Sequence, residues 1–266
     1  MARTDWIDLG DIALRFRLEG TGSSVLVLVH EMGGTLESWD HVLPALLPGR
    51  RVLRYDTRGA GQSEKARGTL DFATMANDLA KLLDALDISG RVTLAGCAVG
   101  AGTALQFAAH FPDRVAALVA MAPATGVDPA RRAAALERAA QTEERGMRAV
   151  LEESFSRSYP PETRHDAEHF RTYRARWLAN DPHSYAAIYR MLATADMRSN
   201  LARISCPVLV LAGTQDRLRP PTLVEAVAVA IPEARFAAIK SGHFMATQTP
   251  VLVARHINEF LTLLGL

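Results

Sequence analysis

The chain has 266 residues, 48% of them hydrophobic, and a formal net charge of +1. That balance suits one large packed domain, or a domain carrying an insertion, and it offers no charged field to hold a nucleic acid or a membrane surface. No run approaches the ~18 apolar residues of a membrane span, and the opening Met1 to Phe16 has neither the apolar segment nor the small-residue cleavage site of a signal peptide.

In chain order, "WIDLGDIALRFRLEG" holds two short runs around Gly10 and reads as an antiparallel hairpin at a sheet edge. Short Val-, Leu- and Ile-rich runs follow at Ser23 to His30, Arg50 to Asp56, Arg91 to Gly96 and Arg114 to Pro123. Two more lie at Cys206 to Thr214 and Ala234 to Lys240. These are buried parallel strands by pattern. Helical periodicity fills Phe72 to Leu86, Gly100 to His110 and Pro221 to Ala230. A last helix is expected from Thr249-Pro250, with threonine as the cap and proline in the first turn. Strands alternating with helices mean an α/β fold, a parallel sheet covered on both faces. From about Ala124 to Asn200 no strand-like run occurs, and breaks fall at Gly146, Pro160-Pro161 and Pro182. That segment is a helical cap, residues 124–200, inserted into a core made of residues 1–123 and 201–266. The two cysteines, Cys97 and Cys206, have no metal-type spacing and read as buried free thiols of a reducing, cytoplasmic compartment.

Ligands of open α/β sheets bind at the carboxyl ends of the strands. Four sites there carry chemistry. "GCAVG", Gly96 to Gly100, has the strand–turn–helix setting of the nucleophile elbow G-x-S-x-G, with alanine at the nucleophile position, Ala98. Asp216 in "QDRLRPP" lies just past a strand end, where it can orient a histidine. Taken alone it could equally be a turn or cap residue. His243 in "SGHF" follows the last strand and is the candidate base. "HEMGG", His30 to Gly34, can aim a backbone N–H at an oxyanion, assigned to Met32, with the second donor on Val99. Nucleophile, acid, histidine, here 98, 216, 243, is the order of the α/β-hydrolases.

With "DTRGAGQS" (Asp56 to Ser63) and "DMRSNLARISCPVLVLAGTQD" added, the chain resembles an α/β-hydrolase along its whole length, and within that superfamily the 3-oxoadipate enol-lactonase-like group. The resemblance implies a mostly parallel central sheet with an inserted helical cap. It implies a hydrolase of a small carboxylic ester or lactone, with Asp216 as acid, His243 as base and no cofactor. The implied partner is a small-molecule substrate, with no metal, nucleic acid or membrane. Asp56 and Arg58 match a structural loop. Substrate-facing positions are expected at Glu31, where many members have glycine, and in the cap at Arg174, Trp177, Tyr185 and Tyr189. The cap arginines also read as surface ion pairs, and "HDAEH" (His165 to His169) as a helical i, i+4 histidine pair on the surface, without the glutamate of H-E-x-x-H or a third ligand.

Ala98 departs most from the resemblance, and three explanations compete. Alanine replaces a native serine, so the chain is an inactive form; or the protein is a natural binding relative without catalysis; or Cys97 attacks instead. Cys97 sits one residue early, where its side chain points away from that of Ala98, and is set aside. The first explanation is preferred, because the other parts of the machinery persist together. A C–C bond or amide hydrolase of the same fold is the further alternative.

Overall fold

The computed structural model describes residues 4–266. Eight strands form one sheet: β1 (Thr4–Asp8), β2 (Ala13–Gly20), β3 (Val25–Val29), β4 (Arg51–Tyr55), β5 (Val92–Cys97), β6 (Val115–Met121), β7 (Val208–Gly213) and β8 (Arg235–Ile239). Their order is β1-β2-β4-β3-β5-β6-β7-β8. β1 pairs antiparallel with β2, and β2 with β4; every later pairing is parallel. The expected edge hairpin and all six strand runs are present, but β8, expected to be buried, is buried only at Ile239, because it is the last strand of the sheet and has a neighbour on one side alone.

The central strands β3, β5 and β7 are buried at every residue. This is why they read as continuous apolar runs rather than alternating ones: both faces of the sheet are covered. One face carries α1 (Leu43–Leu46), with α10 (Met245–Gln248) and α11 (Pro250–Leu263) from the chain's end; the other carries α2 (Phe72–Ala85), α3 (Val99–His110) and α9 (Pro221–Val229). Of these, α3 is buried on all sides except at His110. It can lie so close to the sheet because Gly100 faces β3: a Cβ there would meet the carbonyl oxygens of Val29 and His30.

Between β6 and β7 the chain runs through α4 (Arg132–Arg145), α5 (Met147–Ser158), α6 (Ala167–Leu178), α7 (Pro182–Thr194) and α8 (Arg198–Leu201). Asp166 and Asp181 cap α6 and α7, accepting from the N–H groups of His169 at 2.9 Å and Ser184 at 2.8 Å. Gly146, at φ 74°, makes the corner between α4 and α5. These helices share an apolar cluster of Phe155, Tyr159, Tyr173, Trp177 and Tyr185, into which Phe244 of the core is inserted.

Two local expectations are corrected. Thr249 does precede Pro250 at the start of α11, but its hydroxyl caps nothing. It donates instead to Ser241 Oγ at 2.7 Å, a tertiary partner that outcompetes the local one. His165 lies ahead of α6, so it and His169 do not form a helical pair. His169 is half-buried against the core, its Nδ1 2.9 Å from Nε2 of His41.

Candidate active site

The elbow comes first, because the other parts are arranged around it. At the end of β5 the chain turns at once into α3, and Ala98 takes φ 51°, ψ −112° to do so. A non-glycine residue at positive φ is uncommon and costs about 1–3 kcal/mol, retained only where the surroundings enforce it. They do: Ala98 N–H donates to Met121 O at 2.8 Å, and its carbonyl accepts from Gly102 and Ala124 at 3.1 and 2.9 Å. Gly96 must be small, since a Cβ there would lie 2.5 Å from Gly100 O. Val99 opens α3, so its N–H has no acceptor within the helix.

Asp216 and His243 come from the ends of β7 and β8, which are knit by Thr214 N–H to Ile239 O at 2.8 Å and Gln215 N–H to Ser241 O at 2.9 Å. Asp216 Oδ1 accepts from the N–H groups of Leu218 and Arg219, each at 2.8 Å. Oδ2 is 2.7 Å from His243 Nδ1. Facing a carboxylate with no proton to give, Nδ1 carries the proton, which leaves Nε2 free to accept one. Both residues are only 4% exposed, and Ala98 3%. Cys97 lies beneath them. Its thiol donates to His243 O at 3.4 Å, and burial, then the neighbouring Glu31 carboxylate, push its pKa well above the usual thiol range. A protonated, buried thiol of this kind is inert.

The glycine-rich loop is pinned by His30, whose Nδ1 donates to Glu31 O at 2.8 Å while Nε2 accepts from Thr57 N–H at 3.0 Å. Gly33, at φ 80°, is where α6 comes closest to the loop: a Cβ there would lie 2.5 Å from the Trp177 indole. Glu31 is 1% exposed. Its Oε1 accepts from Ser38 Oγ at 2.8 Å and from Tyr173 OH at 2.9 Å, and its Oε2 is buried with no partner among the described residues.

The expected substrate-facing positions on α6 and α7 separate into two groups. Trp177 and Tyr185 are buried, with ring centroids 5.3 Å apart, and Tyr189 stacks edge-on against Tyr185 at 5.4 Å. Arg174 is not with them; it faces Glu152 at 3.9 Å on the outer side of α6. Asp56 accepts from Leu36 N–H at 2.7 Å, Gln62 N–H at 2.8 Å and Arg15 at 3.1 Å, which makes it the hub of a loop network. Tyr173 escaped the sequence reading. Its only signal there is aromatic spacing with Trp177 one helical turn on, and nothing local ties it to Glu31.

This architecture and the comparisons with known proteins agree. A family model described as "alpha/beta hydrolase fold" matches residues 24–248. The chain belongs to the α/β-hydrolase fold family. It is 30% identical to "3-oxoadipate enol-lactonase 2" of Acinetobacter baylyi over 214 residues, 80% of this chain and 79% of that protein. It is also 30% identical to "Putative carbamate hydrolase RutD" of Azorhizobium caulinodans, over 91% of this chain and 92% of that one. Among solved structures, the enol-lactonase of Burkholderia xenovorans LB400 superposes with a TM-score of 0.90 at 26% identity, covering 97% of this chain and 100% of the other. Among the described residues no helix is long and apolar enough to cross a membrane.

Proposed function

We propose that this site belongs to a hydrolase of small carboxylic esters or lactones, working through a nucleophile–histidine–aspartate relay, and that the chain with Ala98 is its disarmed form. The observation that carries the reading is the buried Asp216–His243 pair at 2.7 Å beside an elbow residue held at φ 51°. A methyl group gains nothing from that strained backbone. A hydroxyl would, because the turn lifts the side chain of residue 98 out of the strand end for a base to reach.

With a hydroxyl at position 98, His243 Nε2 takes its proton as the oxygen attacks the substrate carbonyl. The N–H groups of Met32 and Val99 hold the oxyanion. His243 then returns the proton to the leaving alcohol, and a water, deprotonated by the same nitrogen, releases the acid. Asp216 keeps the imidazole in one tautomer and stabilises its cation. Trp177, Tyr185 and Tyr189 cover the acyl group from the cap. The relatives named as an enol-lactonase and as putative carbamate hydrolases support acyl chemistry of this kind. The unpaired, buried thiols of Cys97 and Cys206 suit a cytoplasmic enzyme.

A second reading is favoured by Ala98 itself, whose methyl cannot attack: a natural protein that binds a small molecule under the cap without turning it over. Hydrolysis of a panel of short activated esters, lactones and amides by the Ala98→Ser form separates the two. Turnover gained on esters or lactones supports the hydrolase; none on any member favours the binding protein.

A further inference from the structure

Glu31 is the one buried acid beside the relay that the proposed chemistry does not use. One of its oxygens is saturated by the hydroxyls of Ser38 and Tyr173. The other, Oε2, is shielded from solvent and has neither a donor nor a cation among the described residues. A buried carboxylate oxygen without a partner is costly and uncommon, so it calls for an explanation. Clamping Tyr173 and Ser38 does not supply one, because a single acceptor oxygen does that.

Position supplies it. Glu31 is bonded directly to Met32, the assigned oxyanion donor. Through Tyr173, whose ring centroid is 5.3 Å from that of Phe244, it adjoins the residue that follows His243. Its charge is also felt at Cys97, next to the elbow. The carboxylate therefore lies where α6 packs on the glycine-rich loop, one residue from Met32 and one side chain from Phe244.

We propose that Glu31 Oε2 accepts a hydrogen bond from the substrate's acyl portion, so that the site selects acyl groups carrying an ammonium, amide N–H or hydroxyl donor and disfavours anionic ones. A second negative charge brought beside a buried carboxylate is repelled strongly where the dielectric is low. Arg174, paired with Glu152 outside, offers no counter-charge at this seam. The word substrate rests on the hydrolase reading above; the recognition by Glu31 does not.

The test is binding to the chain as it stands, which leaves the esters intact, measured by calorimetry. The probes are the methyl esters of β-alanine, β-hydroxypropionic acid and butyric acid, and the monomethyl ester of succinic acid. Hydrogen bonds to charged groups correspond to about ten-fold or more in affinity. The β-alanine and hydroxypropionic esters should therefore bind at least about ten-fold more tightly than the butyric ester, and the succinic ester most weakly. Glu31→Gln turns Oε2 into an N–H donor, so it should abolish the first preference and improve the succinic ester. Tyr173→Phe keeps the carboxylate and should keep the ranking. Equal affinities for the donor-bearing and butyric esters overturn the inference, as does a ranking that Tyr173→Phe changes more than Glu31→Gln. The ranking on the unmodified chain needs no variant to fold. Repeating the series as kcat/KM in the Ala98→Ser form separates the two claims. Turnover without the ranking refutes the role of Glu31 alone, and the binding preference without turnover refutes the hydrolase alone.

Discussion

Oδ2 of Asp216 stands 2.7 Å from Nδ1 of His243 while its Oδ1 is held by two backbone N–H groups. The carboxylate cannot turn without losing those bonds, so Asp216 is the immobile partner in the pair. In the Ala98→Ser background, Asp216→Asn should leave far-ultraviolet circular dichroism and KM nearly unchanged. It should lower kcat by ~10⁴ through the wrong histidine tautomer. A loss under about ten-fold would place the acid elsewhere. Asp128, the carboxylate that follows the β6 end, would then be the next candidate; it is exposed and caps a short turn through Ala130 N–H at 2.8 Å.

Gly100→Ala tests the packing that holds the elbow. The added methyl meets the backbone carbonyls of Val29 and His30, neither of which can swing aside as a side chain would. Overpacking against backbone should cost about 3 kcal/mol. In a chain of this size that lowers the melting temperature by on the order of 5–10 °C. A calorimetric midpoint within about 1 °C of the parent would show that α3 does not press on β3 as described.

His169 and His41 join α6 to the segment that leads into α1, and burial, then the neighbouring His41, lower the pKa of His169 from 6.5. The neutral form is the one the folded state favours. Its contribution is thus complete above 6.5 and is lost as pH falls through the lowered folded value. Protection of the α6 amides, measured relative to the intrinsic exchange rate at each pH, should fall on acidification from about pH 7.5 to about pH 5, and His169→Gln should remove the difference. Greater protection at the acid end would reverse the assigned sign.

Glu37 gives an acid-side counterpart. Burial opposes its charge, but hydrogen bonds from Arg15 at 2.5 Å and Thr35 at 2.6 Å outweigh it and bring its pKa from 4.5 to about 2. A lowered carboxylate stabilises the fold above 4.5, and that stabilisation is lost as pH falls from there towards about 2. Urea midpoints should decline across this window in the parent and decline less in Glu37→Gln. Parallel declines in the two would refute the role of the Arg15–Glu37 pair.

Much of this was readable before any coordinates. The strands show because burial on both faces writes unbroken apolar runs, and the elbow shows because Gly96 and Gly100 leave no room for a Cβ. Asp216 and His243 show because both follow strands directly. Tyr173 with Glu31, and His169 with His41, did not show. They lie 142 and 128 residues apart, and each is joined only when α6 packs back onto the loop and helix that follow β3. No local pattern encodes such a contact. Arg174 carries two readings by residue type, substrate-facing or surface ion pair; its contact with Glu152 fits the second, on a helix face set by the packing of Tyr173 and Trp177.

The central claim is that a complete relay lacks one oxygen, so the decisive measurement is ester and lactone hydrolysis by the Ala98→Ser form beside the unmodified chain. Loss of such a nucleophile leaves only ~10³–10⁴ over the uncatalysed rate. The serine form should therefore exceed the unmodified chain by orders of magnitude on at least one short ester or lactone. His243→Ala should return it to the unmodified level. Equal rates for the two forms across the panel, with the serine form folded, would contradict the claim.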